Sequence, residues 1–218
     1  MNVDQIACFE NLRKLFSDRD EKLKVSEDSL LVLCNYAERI CVDKNQSLQK
    51  EGEHSRWLYF IFEGIVREHL VRADGKDITS DFQIAPSGAG SFHSFCSNAP
   101  CDYSITSATK VVAYRIECKI FNELIGTYAD LCRWYAEIIR DNYIQLREHV
   151  LRMNCTSSED RLREIMRRCP SLIKNVSSSH VASYLNMTPV HFSRAKNNIL
   201  NEMNYEPIMK HCDNRSFS

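Results

Sequence analysis

The spacing of hydrophobic residues changes twice along the chain. Apolar residues recur every three or four positions in the first 38 residues, fall into short runs over residues 39–116, and return to helical spacing from residue 127 onward. A period near 3.6 predicts helices with one buried face, whereas short runs rich in β-branched and aromatic residues predict strands. The pattern therefore predicts an α+β protein in which a β domain lies between helical segments.

The first helical segment carries Ile6, Phe9, Leu12 and Phe16 on one face. Ser26 is placed to cap a second helix, because a serine side chain accepts a hydrogen bond from a free N–H of the first turn. Residues 1–38 are therefore predicted to be helical.

The middle segment contains four runs of strand composition, at residues 57–62, 65–71, 78–82 and 111–116. Asp74-Gly75 lies between the second and third runs and predicts a hairpin, because a tight turn needs residues that tolerate positive φ. Many short strands separated by turn signals predict a small barrel or jelly roll.

Residues 176–199 have the pattern of two helices joined by a tight turn. Asn186 stands where the turn needs positive φ, Thr188 is placed as an N-cap, and Pro189 suits the first helical position. Val181, Ala182 and Leu185 form the inner face of the first helix, and Phe192, Ala195 and Ile199 form that of the second. A helix-turn-helix that enters a major groove is favoured over a plain helical hairpin.

Residues 127–154 predict one long helix with two apolar sides. Apolar residues spaced alternately four and three apart form a seam: Cys132, Ala136, Ile139, Tyr143, Leu146, Val150 and Met153. We assign Ile139, Tyr143, Leu146, Val150 and Met153 to a parallel homodimer seam, since a two-fold dimer presents two recognition helices to two half-sites. The alternative is a helix lying on its own domain. Trp134, Tyr135 and Ile138 are predicted to pack on the β domain.

Charge and cysteine usage favour an intracellular nucleic-acid binder. The net charge is −1, but residues 155–218 hold nine basic and six acidic residues, whereas the rest hold 19 and 23. The ten cysteines include no C-x-x-C pair, and neither a signal peptide nor a membrane-spanning run is evident. We therefore expect reduced thiols, a cytoplasmic location, and no metal, cofactor or membrane partner.

The order of these elements, together with three motifs, resembles the cyclic-AMP receptor protein/FNR (CRP/FNR) family of bacterial transcription regulators. The motifs are Leu58-Tyr-Phe-Ile-Phe-Glu-Gly-Ile-Val-Arg67, Asp74-Gly-Lys-Asp-Ile78 and the helix-turn-helix. Residues 161–173 and 181–190 resemble the branch common in Bacteroidetes. The resemblance implies a cyclic-nucleotide-binding-like β-roll (a jelly roll) over residues 1–126, a dimerisation helix over 127–154, and a winged-helix-like helix-turn-helix domain over 155–218. It also implies a homodimer on double-stranded DNA, with RNA polymerase as a further candidate partner.

Eight residues are candidates for DNA contact. Arg194 is the candidate base reader, because arginine pairs bidentately with guanine. By resemblance, Pro189 and Val190 open the recognition helix against base edges. The remaining candidates face phosphate or sugar: Thr188, His191, Ser193, Lys196 and Asn197.

One segment departs from the cyclic-nucleotide-binding members of the family, in which a Glu holds the ribose and an Arg neutralises the cyclic phosphate. Here the Arg position falls near Cys101-Asp102 and the Glu position near Ser91 or His93, and no Lys or Arg occurs between Lys76 and Lys110. An anion would meet repulsion there, so we expect neither cyclic AMP nor cyclic GMP as the effector. A cation from the partner helix (Arg133, Arg140 or Arg147) is the alternative that would restore binding.

The same segment supplies the candidate effector pocket, which consists of Ser91, Phe92, His93, Phe95, Cys101, Asp102 and Tyr103. A segment that binds nothing is favoured. The alternatives left open are a thiol switch between Cys96 and Cys101, a haem or metal ligated by His93 or a cysteine, and an apolar ligand.

The sequence therefore predicts a homodimeric DNA-binding regulator rather than an enzyme. A cupin-like enzyme needs clustered histidines, whereas His54, His69 and His93 are widely separated. The alternative function is a ligand or redox sensor that acts through protein partners and has a weakened DNA head.

Overall fold

The computed structural model describes residues 3–17 and 24–212. The chain divides into two compact units, Met1–His149 and Val150–Ser218. The predicted division at residues 126/127 and 154/155 stays a prediction.

The first unit combines helices with eight strands. Its helices are α1 (Val3–Ser17), α2 (Glu27–Tyr36), α3 (Phe92–Ser97), α4 (Cys118–Thr127) and α5 (Ala129–Cys155), which extends beyond the unit. Its strands are β1 (Glu38–Val42), β2 (Ser47–Gln49), β3 (Trp57–Glu63), β4 (Ile65–Val71), β5 (Asp77–Ile84), β6 (Ser87–Ala89), β7 (Ser104–Ser107) and β8 (Val111–Glu117). The four strand runs predicted from the sequence correspond to β3, β4, β5 and β8.

The eight strands form two antiparallel sheets, in the orders β1-β8-β3-β6 and β2-β7-β4-β5. Gly64 makes the tight turn that passes the chain from the first sheet to the second, with φ +95°. A Cβ at this position would overlap the backbone oxygen of Lys110, so only glycine fits.

The hairpin predicted at Asp74-Gly75 is confirmed. Strands β4 and β5 pair with Val71 opposite Asp77, and Gly75 has φ +80°. The loop is longer than a two-residue turn and is closed by hydrogen bonds from Gly75 N to Arg72 O (2.8 Å) and from Arg72 N to Lys76 O (3.0 Å).

Two apolar clusters stabilise this unit. The first lies between the sheets and includes Tyr59, Ile61, Ile105 and Val111. The second lies under the helices, where Phe16 of α1 stacks on Trp134 of α5 with ring centroids 3.9 Å apart. Such rings contribute large buried areas as well as their stacking energy.

The helical predictions for this unit need two corrections and receive two confirmations. Ile6 is 51% exposed and therefore lies outside the buried face of α1. The segment after residue 90, for which no helix was predicted, contains α3. Ser26 caps α2 by accepting from Ser29 N (3.2 Å), and Tyr135 and Ile138 pack with Trp134 against the helical cluster, as predicted. Residues 1–2 and 18–23 lie outside the described residues.

The second unit contains α6 (Ser158–Arg168), α7 (Pro170–Asn175), α8 (Ser178–Tyr184) and α9 (Pro189–Cys212). Its buried centre is formed by Leu162, Leu172, Val176, Val181, Ala182, Leu185, Met187, Phe192, Ala195 and Ile199. Between residues 150 and 212 the described chain holds helices and no strand. The wing implied by the winged-helix likeness is therefore absent from these residues, since nothing ends α9 where a wing would begin: residues 196–206 contain neither glycine nor proline.

None of the helices described is long and apolar enough to cross a membrane.

Candidate nucleic-acid interface and β-roll interior

The turn between α8 and α9 has the local geometry that the sequence predicted. Asn186 adopts φ +55°, and the hydroxyl of Thr188 accepts a hydrogen bond from His191 N at 3.2 Å. Met187 N donates to Ala182 O at 2.8 Å, which closes the turn. The positive φ at Asn186 and the cap at Thr188 thus fix the direction in which α9 leaves the turn.

The start of α9 has a buried side and an open side. Phe192, Ala195 and Ile199 are buried against the second unit, as their spacing predicts. The open side carries the eight candidate DNA contacts. All of these are exposed except Lys196, which is half-buried: Thr188, Pro189, Val190, His191, Ser193, Arg194, Lys196 and Asn197. Surface donors on a packed helix can contact a duplex without unfolding the domain.

Arg161 of α6 ties this turn to the preceding chain and was missed by the sequence patterns. Its guanidinium donates to the backbone oxygens of Thr156 (2.6 Å) and Leu185 (3.1 Å), and makes longer contacts to those of Arg152 (3.5 Å) and Met153 (3.4 Å). Leu185 is the first residue of the turn before α9. The Arg161 guanidinium therefore links the end of α5 to the start of the turn before α9.

His191 is also held by its own unit. Its Nε2 lies 3.1 Å from Oε1 of Glu159, at the start of α6. A candidate phosphate contact is thereby paired with a carboxylate, and the pair is exposed to solvent.

The predicted seam on α5 carries large exposed apolar side chains. Tyr143 and Leu146 are each 61% exposed and Val150 is 50% exposed, whereas Ile139 and Met153 are partly buried. Ile144, nearly opposite on the helix, is 47% exposed. Exposed apolar stripes of this kind are typical of protein contact surfaces.

Part of the predicted effector pocket comes together inside the β-roll. Ser91 is fully buried, caps α3 by accepting from Ser94 N (3.1 Å), and donates to Oδ1 of Asp102 (3.4 Å). The Tyr103 hydroxyl donates to Gly90 O at 2.8 Å. Burial, together with nearby Glu68 and Asp102, raises the pKa of Tyr103, so its hydroxyl stays a donor.

The aromatic residues predicted to line the pocket, Phe92, His93 and Phe95, lie on α3 instead. Phe92 and His93 are exposed on α3, while Phe95 packs edge-on against Tyr135 with centroids 5.6 Å apart. Cys96 is exposed and its sulfur lies 3.9 Å from the Tyr135 hydroxyl, whereas Cys101 is buried. No disulfide joins Cys96 to Cys101: both are free thiols, as are all nine cysteines whose side chains are described.

The sequence patterns missed two carboxylates inside the β-roll. Glu68 on β4 is the Cα partner of Asp81 on β5, so like charges stand directly opposite each other. Gln83 Nε2 donates to Oε1 of Glu68 and to Oδ2 of Asp81, each at 3.3 Å. The available signal was an acidic residue in the middle of each of two predicted strands.

Burial raises the pKa of both groups, and the charge of Asp81 adds to the effect on Glu68. Desolvation, followed by the charge of Asp81, raises the pKa of Glu68 to about 7. Desolvation also raises the pKa of Asp81, against the hydrogen bond from Phe82 N and the proximity of His149. Arg67 on the same strand instead binds Asp77 through two hydrogen bonds of 2.7 and 2.8 Å. A further anion placed near Glu68 would therefore be repelled.

Among the residues that the structure describes, no three His, Cys, Asp or Glu side chains are grouped so that they could hold a metal ion.

Comparison with known proteins identifies the fold. No family profile matches this sequence, and no curated protein matches it either. Among solved structures, FixK2 from Bradyrhizobium japonicum is similar over 76% of this chain and 85% of its own, with 14% identity and a TM-score of 0.67. The c-di-GMP-responsive global regulator CLP from Xanthomonas campestris is similar over 81% and 93%, with 14% identity and a TM-score of 0.58.

The sensor domain of the transcriptional regulator DNR from Pseudomonas aeruginosa is also similar, over 67% of this chain and 93% of that domain, with 14% identity and a TM-score of 0.54. These neighbours are regulators of the CRP/FNR family. At such identities the likeness shows the fold, a cyclic-nucleotide-binding β-roll combined with helices. Assignment to the Bacteroidetes-type branch stays a prediction.

Arg161→Gln should destabilise the second unit by about 1.5–3 kcal/mol, because charge-assisted hydrogen bonds to backbone oxygens would be lost. Arg163→Gln is the matched control: Arg163 lies two residues further along α6, is exposed, and pairs with Glu202 at 2.6 Å. Its loss should have little effect, because solvent screens an exposed ion pair. Amide hydrogen exchange of α8 and α9 measures both, and equal effects would exclude an anchoring role for Arg161.

Proposed function

We propose that this protein is a homodimeric, sequence-specific DNA-binding transcription regulator of the CRP/FNR type. The observation that carries the proposal is the start of α9, where a tightly capped turn presents Arg194 and its neighbours outward from a buried inner face. The fold of the first unit, which is that of CRP/FNR regulators, supports it. The protein acts in the cytoplasm, with RNA polymerase as a further partner, and is not an enzyme.

The candidate contacts divide into two groups by chemistry. Arg194 reads a base through its planar pair of donors, while Pro189 and Val190 lie against base edges or methyl groups. Thr188, His191, Ser193, Lys196 and Asn197 contact phosphate or sugar. His191 reaches a phosphate by leaving Glu159, which lies 3.1 Å away in the free protein.

The dimer seam follows from the exposed apolar stripe of α5. Tyr143, Leu146 and Val150 expose half or more of their surfaces, which costs free energy in a lone helix. Packing two copies of α5 in parallel buries these side chains and places the two DNA heads on one face of a pseudo-palindromic operator.

The effector of the β-roll is not a cyclic nucleotide in this proposal. Glu68 and Asp81 are partly buried opposite each other on β4 and β5, Asp102 lies at the surface beside Ser91, and residues 77–109 contain no Lys or Arg. A cyclic phosphate at this place would meet carboxylates without a counter-charge. Loss of the ligand-binding Arg and Glu leaves a sensor domain that responds to something else or to nothing.

A second candidate function is a sensor that acts through protein partners and has a weakened DNA head. The described residues after the start of α9 are helical and hold no wing strand, which removes one source of backbone contacts. The two functions differ in salt dependence, since DNA binding through phosphates weakens steeply as salt rises.

Selection from a random DNA pool by the purified, reduced protein should enrich a two-fold symmetric motif with half-sites roughly 34 Å apart. On that motif Arg194→Ala should cost about 1–3 kcal/mol and relax one base position. Arg72→Ala, on the exposed β4–β5 loop, is the control and should bind as the wild type does. A pool without enrichment, or unchanged affinity of Arg194→Ala, would contradict the assignment of α9.

Leu146→Asp should convert the dimer to a monomer, because two buried charges would face each other across the seam. Ile144→Asp is the matched control, since Ile144 is a similarly exposed apolar residue nearly opposite on α5. Sedimentation equilibrium distinguishes the outcomes. If Ile144→Asp dissociates the protein and Leu146→Asp does not, the dimer uses the other side of the helix.

A further inference from the structure

The pairing of Glu68 with Asp81 is a poor arrangement for stability alone. Like charges directly opposite across two strands are destabilising, and burial increases the cost because little water screens them. The register fixes this opposition: β4 and β5 pair along their whole length, and the only irregularity lies between Glu68 and His69.

The surroundings offer little compensation. Gln83 donates to both carboxylates at 3.3 Å, but its amide carries no net charge. Asp102 and Tyr103, which precede β7, add a third acid and a hydroxyl that stays protonated. On β4 itself, Arg67 is bound to Asp77 and Thr79, and the ring of His69 lies 2.9 Å from Thr106 Oγ1.

A second imidazole, that of His149 on α5, acts on Asp81 and lowers the pKa of that carboxyl. It carries a positive charge only when protonated. The carboxylates are therefore linked to a residue of the long helix, and the charge state of this cluster depends on proton concentration rather than on a permanent cation. Among the described residues the carboxylates also belong to no group of three candidate metal ligands.

We propose that the Glu68–Asp81 pair is a proton-sensitive device in the β-roll: with one proton bound the β4–β5 hairpin is relaxed, and without it two like charges oppose each other. This inference goes beyond the proposed function and does not depend on DNA binding. In this proposal the β-roll responds to proton concentration and not to an anionic ligand.

The direction of the pH effect follows from the folded and unfolded pKa values. In the folded protein the pKa of Glu68 is raised from 4.5 to about 7, so the folded state holds a proton that the unfolded state releases. The proton on Glu68 makes its full contribution to the free energy of unfolding below the ordinary pKa of a glutamate, and this contribution is lost as the pH rises toward 7. Above pH 7 Glu68 causes no further change in the free energy of unfolding.

Both tryptophans, Trp57 and Trp134, lie in the first unit, so their fluorescence reports its unfolding in the full chain. The urea midpoint of the wild type should fall between pH 5 and 7.5 relative to that of Glu68→Gln, which mimics the protonated form. The two should agree only below the ordinary pKa of 4.5, and Glu68→Gln should be the more stable at pH 8. Glu123→Gln, an exposed carboxylate on α4, is the control and should follow the wild type.

A second measurement covers the case in which Glu68→Gln fails to fold. Carbon-detected NMR of the wild-type side-chain carboxyls should show Glu68 titrating near pH 7, and Asp81→Asn should lower that midpoint. Asp81→Asn should lower the Glu68 midpoint equally in a protein that also carries His149→Gln. This control distinguishes the effect of the Asp81 carboxylate from that of the His149 imidazole. A Glu68 midpoint below pH 5, or identical pH profiles for wild type and Glu68→Gln, would overturn the proposal.

Discussion

The charge balance inside the β-roll constrains what this protein can sense. Glu68 and Asp81 face each other across β4 and β5, Asp102 lies beside Ser91, and the single buried arginine of β4 is bound to Asp77. The β-roll thus carries partly buried negative charge on two adjacent strands. Repulsion of anions and uptake of a proton are two consequences of the same arrangement.

Local chemistry made the turn before α9 and the start of α9 predictable. Asn186, Thr188 and Pro189 each have a preference that acts within a few residues, for positive φ, for capping and for the first helical turn, and the structure shows the expected φ and the expected cap. The inner faces of α8 and α9 followed from spacing alone. Strands β3, β4, β5 and β8 were likewise predictable, since their apolar content exceeds that of their surroundings.

Features that depend on contacts distant in sequence were not predictable in this way. Strands β1, β2, β6 and β7 are short or carry few apolar residues, so pairing with their neighbours decides their conformation. The opposition of Glu68 and Asp81 depends on the register of a hairpin and on the irregularity after Glu68. Arg161 acts on a turn 24 residues away. In each case the residue type was visible in the sequence and its partner was not.

Charge within the β-roll should exclude an anionic effector, and calorimetric titration with cyclic AMP at pH 7.5 measures whether it does. Adenosine is the control, since it shares the base and sugar but lacks the phosphate. We expect no saturable binding of cyclic AMP up to about 1 mM, corresponding to an affinity weaker than about −4 kcal/mol. Adenosine should bind no more weakly than cyclic AMP. A micromolar Kd for cyclic AMP, together with a far weaker affinity for adenosine, would contradict the expected exclusion of anions. It would point to a phosphate-binding cation within the dimer.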